Sequence, residues 1–215
     1  MRLWILAGVA VVLAGMAIAL VLHYTSVPTG RTPTEAVVLP YARQGDVDGL
    51  ARLAASDNLA VAQEAVRALG TAGPQGRPHL VEALADPRPP VRVATVLALG
   101  RADDVESEAR LADVARRDNA PDVRAAAVTI LGRRLAHRQA PALIDALEDP
   151  DPLVRRRAAE AFRRITGLGL AVERLDAGGS DSDTRAVAAE LRAMWPSMRE
   201  TVEAYYKNRR GPAEQ

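Results

Sequence analysis

The segment Asp86-Pro-Arg-Pro-Pro-Val-Arg92 decides the fold, because similar segments recur along the chain at a nearly constant spacing. Asp118-Asn-Ala-Pro-Asp-Val-Arg124 and Asp149-Pro-Asp-Pro-Leu-Val-Arg155 follow it, and a shorter version, Asp57-Asn-Leu-Ala-Val61, precedes it. The spacings between the leading aspartates are 29, 32 and 31 residues. A period of this size is typical of supersecondary units that stack on one another.

Each unit is predicted to be a pair of helices. Pro78–Leu84 and Pro141–Leu147 match position for position as first helices, each with proline in the first turn, where a missing N–H costs nothing. The Asp/Asn/Pro-rich turn then ends the first helix and caps the second. A glycine is expected to close each second helix in a left-handed cap: these are Gly70, Gly100, Gly132 and Gly167. With no convincing strand pattern, the sequence predicts an all-α fold, an α-α superhelix of about four repeats.

These residues resemble the HEAT-repeat family, and especially its short bacterial members related to bilin-lyase-like repeats. The resemblance covers about residues 46–167, and unit one departs from it because Ala62, not arginine, follows Val61. It implies a ladder of hydrogen bonds that links each turn to a neighbouring second helix and fixes the stacking angle. The ladder residues that it implies are Asp86, Arg92, Asp118, Arg124, Asp149 and Arg155.

The amino-terminal residues 1–23 are predicted to be a transmembrane anchor. Residues 3–22 form an uncharged run of 20 residues, which as a helix spans roughly 30 Å, the thickness of a bilayer core. A cleavable signal peptide and a buried core helix are the alternatives. Arg2 precedes the run, so the positive-inside rule favours a single-pass protein of the cell membrane with an extracytoplasmic domain. Small residues spaced by four could dimerise the anchor.

The remaining sequence divides into a linker and two caps. Residues 24–31 are a Pro/Gly-containing linker, and residues 32–167 hold the repeats with an amino-terminal cap helix. Thr32 and Glu35 are expected to form its capping box, and Pro40 to kink it or end it early. Residues 168–215 are predicted to be a helical cap and tail, in which one helix ends at Met194 and Pro196 starts the next. The expected apolar stripe of this cap is Val187, Ala188, Leu191, Met194 and Trp195.

Composition excludes several classes of function. The chain of 215 residues has 0 Cys, 7 aromatic residues and a formal charge of +1. It therefore offers no thiolate metal site or cysteine nucleophile, few stacking platforms for single-stranded nucleic acid, and no general attraction to nucleic acid. The hydroxylase members of the HEAT-repeat family bind iron through His-Glu motifs. This sequence has no His-Glu dipeptide, so the resemblance does not imply that activity. No cofactor or metal and no enzymatic activity is predicted.

The high density of arginines in units three and four is the remaining sequence feature that indicates a function. The sequence offers Arg156, Arg163 and Arg164 as partner-binding residues on the exposed side of the last second helix. A solvated surface with local pairing, such as Arg156 with Glu160, is the alternative interpretation. The prediction is a noncatalytic, membrane-anchored scaffold or adaptor that binds a protein on its concave face. Alternatives are an enzyme-accessory or lyase-like protein, and binding of an anionic ligand, lipid headgroup or nucleic acid through the arginines.

Overall fold

The computed structural model describes residues 32–102, 104–167 and 181–209 of the chain. The chain divides into two units, Met1–Val37 and Val38–Gln215, and the second unit contains all the repeats. The predicted membrane anchor, residues 3–22, and the linker, residues 24–31, lie outside the described residues. Among the helices that are described, none has both the length and the apolar character needed to cross a bilayer.

All regular structure in the described ranges is helical, which confirms the all-α prediction. Two short 3-10 turns, Gly73–Gln75 and His137–Gln139, lead into the first helices of the second and fourth pairs. The α-helices are α1 (Pro33–Gln44), α2 (Val47–Ala54), α3 (Leu59–Thr71), α4 (Arg77–Ala83), α5 (Pro89–Leu99), α6 (Val105–Arg117), α7 (Pro121–Arg133), α8 (Ala140–Ala146), α9 (Pro152–Thr166) and α10 (Asp181–Arg209).

Polar caps and prolines set the helix starts. Thr32 and Glu35 form a reciprocal capping box, with the Glu35 N–H donating to Thr32 Oγ1 at 3.2 Å and the Thr32 N–H to Glu35 Oε2 at 3.0 Å. Asn58 caps α3 by accepting from the N–H groups of Ala60 and Val61. In α5, α7 and α9, proline occupies the first turn, where its fixed φ suits the helix.

The helices pair and the pairs stack in series. The first helices are α2, α4, α6 and α8, and each packs against the second helix that follows it, α3, α5, α7 and α9 respectively. The second helices also pack on one another, α3 on α5, α5 on α7 and α7 on α9. One contiguous core of Leu, Val, Ala, Ile and Phe side chains runs through the stack. No pair buries its apolar face alone, so each pair depends on its neighbours.

The glycines near the ends of the second helices pack between helices, which corrects the prediction of left-handed caps. Of the four glycines predicted as caps, only Gly167 has a positive φ, of 70°, and serves as such a cap. A Cβ placed on Gly132 would lie 2.5 Å from the Cβ and 2.6 Å from the Cα of Ala161 in the next second helix. Gly70 approaches Ala98 in the same way, and Gly100 approaches Ile130. Glycine is needed here because two second helices meet with no room for a side chain.

Two prolines lie inside helices that continue past them: Pro40 does not end its helix early, which was one of two alternatives, and Pro196 does not start a new helix, contrary to prediction. Pro40 is inside α1, and Pro196 is inside α10, which is one helix of 29 residues. An interior proline removes one backbone hydrogen bond and costs about 3 kcal/mol. Packing offsets this cost in α10, since the ring of Trp195 meets that of Phe162 edge to face at 6.2 Å. Met194, predicted to join the apolar stripe, is 49% exposed.

Candidate functional site

Arg92 joins the turn of its own unit to the turn of the next unit through one guanidinium group. Its Nη1 donates to the backbone carbonyl of Asp86, at 2.8 Å, in the turn of its own unit. Its Nε and Nη2 donate to the two carboxylate oxygens of Asp118, each at 2.8 Å, in the turn of the next unit. The Arg92 residue is only 6% exposed. This planar, bidentate geometry fixes one turn against the next more firmly than a point charge would.

Arg124 repeats the arrangement one unit later. It donates to the Asp118 carbonyl at 2.9 Å and to both carboxylate oxygens of Asp149 at 2.7 and 2.8 Å. Arg155 donates to the Asp149 carbonyl at 2.9 Å and to that of Pro150 at 3.0 Å. The structure therefore brings the predicted residues together, with Arg92 and Arg124 each reaching forward to the next aspartate and Arg155 bonded to the carbonyls of its own turn. We call these contacts the turn ladder.

Arg88 supplies the rung that the sequence of unit one lacks. Ser56 is the structural equivalent of Asp86, because each accepts the N–H two residues ahead: Ser56 Oγ from Asn58 at 3.2 Å, and Asp86 Oδ1 from Arg88 at 2.8 Å. Ser56, not Asp57, thus sets the register, and Ala62 stands where Arg92 stands. Arg88 donates to the Ser56 carbonyl at 2.6 Å and to both Asp86 carboxylate oxygens. Sequence alignment missed it because this arginine comes from the second unit, not the first.

A rescue experiment tests whether Arg88 takes the role of the arginine that unit one lacks at position 62. Arg88→Ala is expected to lower the unfolding temperature, because the Asp86 carboxylate and the Ser56 carbonyl lose their donors. Adding Ala62→Arg should restore stability, since residue 62 occupies the register from which Arg92 reaches its partners. Arg67→Ala, which removes an exposed arginine paired with Glu64 at 3.1 Å, is the matched control and should change little. Failure of Ala62→Arg to rescue would contradict the assigned register.

The ladder also holds its carboxylates in the ionised form. The hydrogen bond from Arg88 lowers the pKa of Asp86. Burial raises the pKa of Asp118, but hydrogen bonds from Arg92 and the Ala120 N–H, with the charges of Arg92 and Arg124, outweigh it and leave the pKa below its ordinary value. Asp86 and Asp118 are therefore charged partners of the ladder at neutral pH.

Acid should weaken the stack through these carboxylates. Because the pKa of Asp118 is lower in the folded chain than its unfolded value of about 3.9, the stabilisation is complete above that pH and is lost as pH falls through the folded pKa. We expect the urea midpoint to drop below about pH 4. Asp118→Asn should be less stable at pH 7 and should show a smaller acid-induced drop. An equal drop in both proteins would show that Asp118 does not contribute.

The second helices share one outward strip, which lies beside α10 at its carboxy-terminal end, at Arg164. Counted from the turn residues Ser56, Asp86, Asp118 and Asp149, the strip comprises the residues four, eight, eleven and fifteen positions later, and all of them are exposed or half-buried. Leu97 is its most prominent apolar side chain, at 49% exposure. The strip comprises Ala60, Glu64, Arg67, Thr71, Pro90, Ala94, Leu97, Arg101, Asp122, Ala126, Thr129, Arg133, Leu153, Arg157, Glu160 and Arg164.

The three arginines proposed from the sequence are exposed but do not share this strip. Arg164 belongs to it. Arg156 and Arg163 lie around α9, in the registers that Ala125 and Gly132 occupy in α7, where a following second helix would pack. Glu160 pairs with Arg157 at 3.0 Å and not with Arg156, which corrects the predicted pairing. The structure thus separates Arg164, on the common strip, from Arg156 and Arg163, at the end of the stack.

The carboxy-terminal helix closes the stack through ion pairs as well as through Trp195. Arg192 of α10 contacts Glu148 at 2.7 Å and Asp145 at 3.3 Å, and Arg116 of α6 contacts Asp145 at 3.0 Å. First helices α6 and α8 and the cap helix are thereby joined on the side away from the outward strip. These side chains are 33–49% exposed, so each pair contributes less than about 1 kcal/mol.

Within the described ranges, no three His, Cys, Asp or Glu side chains converge as a metal site would require. His79 lies 3.7 Å from both Asp48 and Glu82 at the surface, and His137 stacks on Tyr206 with ring centroids 4.9 Å apart. A cavity of about 460 Å³ lies between the end of α9 and α10, with Arg164, Tyr205 and Tyr206 among its lining residues. Its walls are mainly apolar.

Comparison with known proteins identifies the repeats. A family model described as HEAT repeats matches residues 47–127 and 108–195, which together exceed half of the chain. These matches cover the described helices from α2 to the first half of α10. No curated protein matches the chain.

Proposed function

The chain belongs to the HEAT-repeat family, and on that premise we propose that it is a noncatalytic scaffold or adaptor that binds a protein partner on the outward strip. The single observation that carries this proposal is the continuity of the strip across four stacked second helices. Because the turn ladder and the glycine contacts fix the helices to one another, the strip is a rigid, preformed surface. Preformed surfaces bind with little ordering cost.

The composition of the strip suits a protein partner. It combines the exposed side chain of Leu97 with small residues, including Ala94 and Ala126, and with charged residues at its edges. An apolar centre with a polar rim is typical of protein interfaces. A continuous polyanion would meet the carboxylates of Asp122 and Glu160 on the same strip, which argues against nucleic acid as the partner.

We further propose that residues 3–22 anchor the protein in the cell membrane and that the repeats face the extracytoplasmic side. The uncharged run of 20 residues supports the anchor, and Arg2 ahead of it supports the orientation. Protease treatment of intact cells tests both: the repeats should be cleaved from outside while a membrane-bound fragment remains. Protection of the repeats until the cells are lysed would contradict the orientation.

Affinity purification of the full chain, solubilised from membranes, tests the adaptor function. A partner recovered with the wild-type chain should be lost from Leu97→Asp, which places a carboxylate in the centre of the strip. Arg52→Asp on α2 is the matched control, because its side chain is 72% exposed on a first helix. Equal recovery with all three proteins would overturn the assignment of the strip.

A further inference from the structure

We propose that Arg101, Arg133 and Arg164 form an arginine row that binds an extended acidic segment of the partner, with carboxylates at every third residue. This inference rests on the proposed function and names the chemistry of the partner. Each arginine lies fifteen positions after its turn residue, Asp86, Asp118 and Asp149 respectively. Arg133 and Arg164 lie in the last turns of α7 and α9, and Arg101 lies in the turn that follows α5, two residues after Leu99.

None of the three side chains has a partner within the described residues. All three arginines are exposed, and they make no hydrogen bond or ion pair with the part of the chain that the structure describes. Two neighbouring arginines are paired, since Arg134 contacts Glu108 at 3.4 Å and Arg157 contacts Glu160 at 3.0 Å, whereas Arg163 is exposed like the row. The fold thus leaves three equivalent guanidinium groups available to carboxylates from another molecule.

The glycine contacts set the spacing of the row. Gly100 and Gly132 immediately precede Arg101 and Arg133; Gly100 packs against the Ile130 side chain of the next second helix, and Gly132 packs against the backbone of the next one at Ala161. Packed helices lie about 8–10 Å apart. An extended segment advances about 3.1–3.4 Å per residue, so three residues cover about 9–10 Å. Carboxylates at positions i, i+3 and i+6 consequently match the row.

The rest of the strip selects a segment that is acidic only at intervals. Leu97 and Thr129 stand four residues before Arg101 and Arg133, and Glu160 stands four residues before Arg164. Apolar or small residues between the carboxylates of the partner can lie against Leu97 and Thr129. A continuous run of carboxylates would be repelled by Glu160.

Peptide binding to the full chain in detergent micelles tests the inference by fluorescence anisotropy. Three peptides of identical composition carry three glutamates: at every third position, at every second position, and contiguous. We expect the every-third peptide to bind about tenfold or more tightly than the other two, because only it pairs with all three arginines at once. Equal binding of the three peptides would overturn the spacing. A helical peptide with glutamates seven residues apart that binds more tightly would overturn the extended conformation.

Charge-matched variants locate the site. Arg101→Gln/Arg133→Gln/Arg164→Gln should weaken binding of the every-third peptide about tenfold or more. Arg52→Gln/Arg110→Gln/Arg117→Gln removes the same charge from exposed arginines on first helices and should change binding less than twofold. Glutamine preserves helix propensity, and circular dichroism checks that both triple variants stay folded. Equal weakening by the two variants would overturn the row as the site.

Two further measurements distinguish an acidic protein segment from other anionic ligands, and distinguish a failure of this inference from a failure of the proposed function. Phosphatidylserine vesicles and a single-stranded oligonucleotide should not displace the peptide at equal charge concentration; displacement by either would overturn a protein segment as the ligand. If Leu97→Asp abolishes partner recovery while no acidic peptide binds, the adaptor function stands and the acidic ligand falls. If partner recovery is also unchanged, both fall.

Discussion

Gly132→Val is expected to destabilise the chain strongly, because the buried Gly132 lies where two second helices meet. The first added carbon would lie 2.6 Å from the Cα of Ala161, so α7 and α9 would have to separate. Overpacking of this kind costs roughly 1–3 kcal/mol for a few added atoms, and valine adds a branched group that helices accommodate poorly. Thermal unfolding followed by circular dichroism measures the loss, and Gly132→Ala should fall between valine and the wild-type protein.

Arg163 provides the control for this prediction. It is the register equivalent of Gly132 in the fourth unit, where its side chain is exposed among the described residues. Arg163→Val should therefore change the free energy of unfolding by no more than about 0.5 kcal/mol. If Arg163→Val and Gly132→Val had similar effects, helix propensity and not close packing would explain both.

Arg124→Ala is expected to destabilise the chain by roughly 3 kcal/mol or more, because it leaves the charged Asp149 carboxylate buried with the Asp151 N–H but without its guanidinium partner. The Arg124 and Asp149 side chains are only 11% and 7% exposed. Urea unfolding at pH 7 gives the free energy. Arg124→Ala/Asp149→Asn should be less unstable than the sum of the two single variants, because the unpaired charge is removed with its partner.

The exposed pair Arg116–Asp145 is the comparison for Arg124. Its N–O distance, 3.0 Å, is similar, but its side chains are 35% and 45% exposed. Arg116→Ala should therefore cost less than about 1 kcal/mol. Equal effects of Arg116→Ala and Arg124→Ala would mean that burial does not strengthen the ladder.

The architecture could be predicted from the sequence because its determinants are local. Proline after a polar turn fixes helix starts, and the recurrence of Asp86, Asp118 and Asp149 ahead of valine and arginine reports the repeat directly. The capping box of Thr32 and Glu35 was predicted for the same reason, since both partners lie within one turn. Family resemblance supplied the ladder itself.

The parts that could not be predicted depend on which helix faces which. A glycine near a helix end fits either a left-handed cap or a close helix contact, and only the position of Ala161 decides for Gly132. Arg88 looks like an ordinary turn residue until Ser56 is seen across the interface. Pro196 reads as a helix boundary, yet the packing of Trp195 on Phe162 holds α10 together across it.

The arginine row was missed for a similar reason. Arg101 and Arg133 lie in different units of the sequence. Their equivalence is visible only when the units are aligned on their turn residues. The sequence alignment misplaced that register in two units. In unit one it used Asp57 where Ser56 is the turn residue, and in unit four it aligned Gly167, which lies four residues beyond the equivalent position, Arg163. Alignment on the turn hydrogen bonds, rather than on residue identity, would have found it.

Distances between spin labels at register-equivalent positions test the stacking of the second helices most directly. Arg67, Leu97, Thr129 and Glu160 each lie eleven positions after a turn residue, and the chain has 0 Cys, so labelled cysteines can be introduced in pairs. Because packed helices lie about 8–10 Å apart, we expect narrow distributions of the distance between labels. The mean distance should grow by about 10 Å per repeat, to near 20 Å for the pair 67/129 and near 30 Å for the pair 67/160. Distances that do not increase with the number of intervening repeats would contradict it.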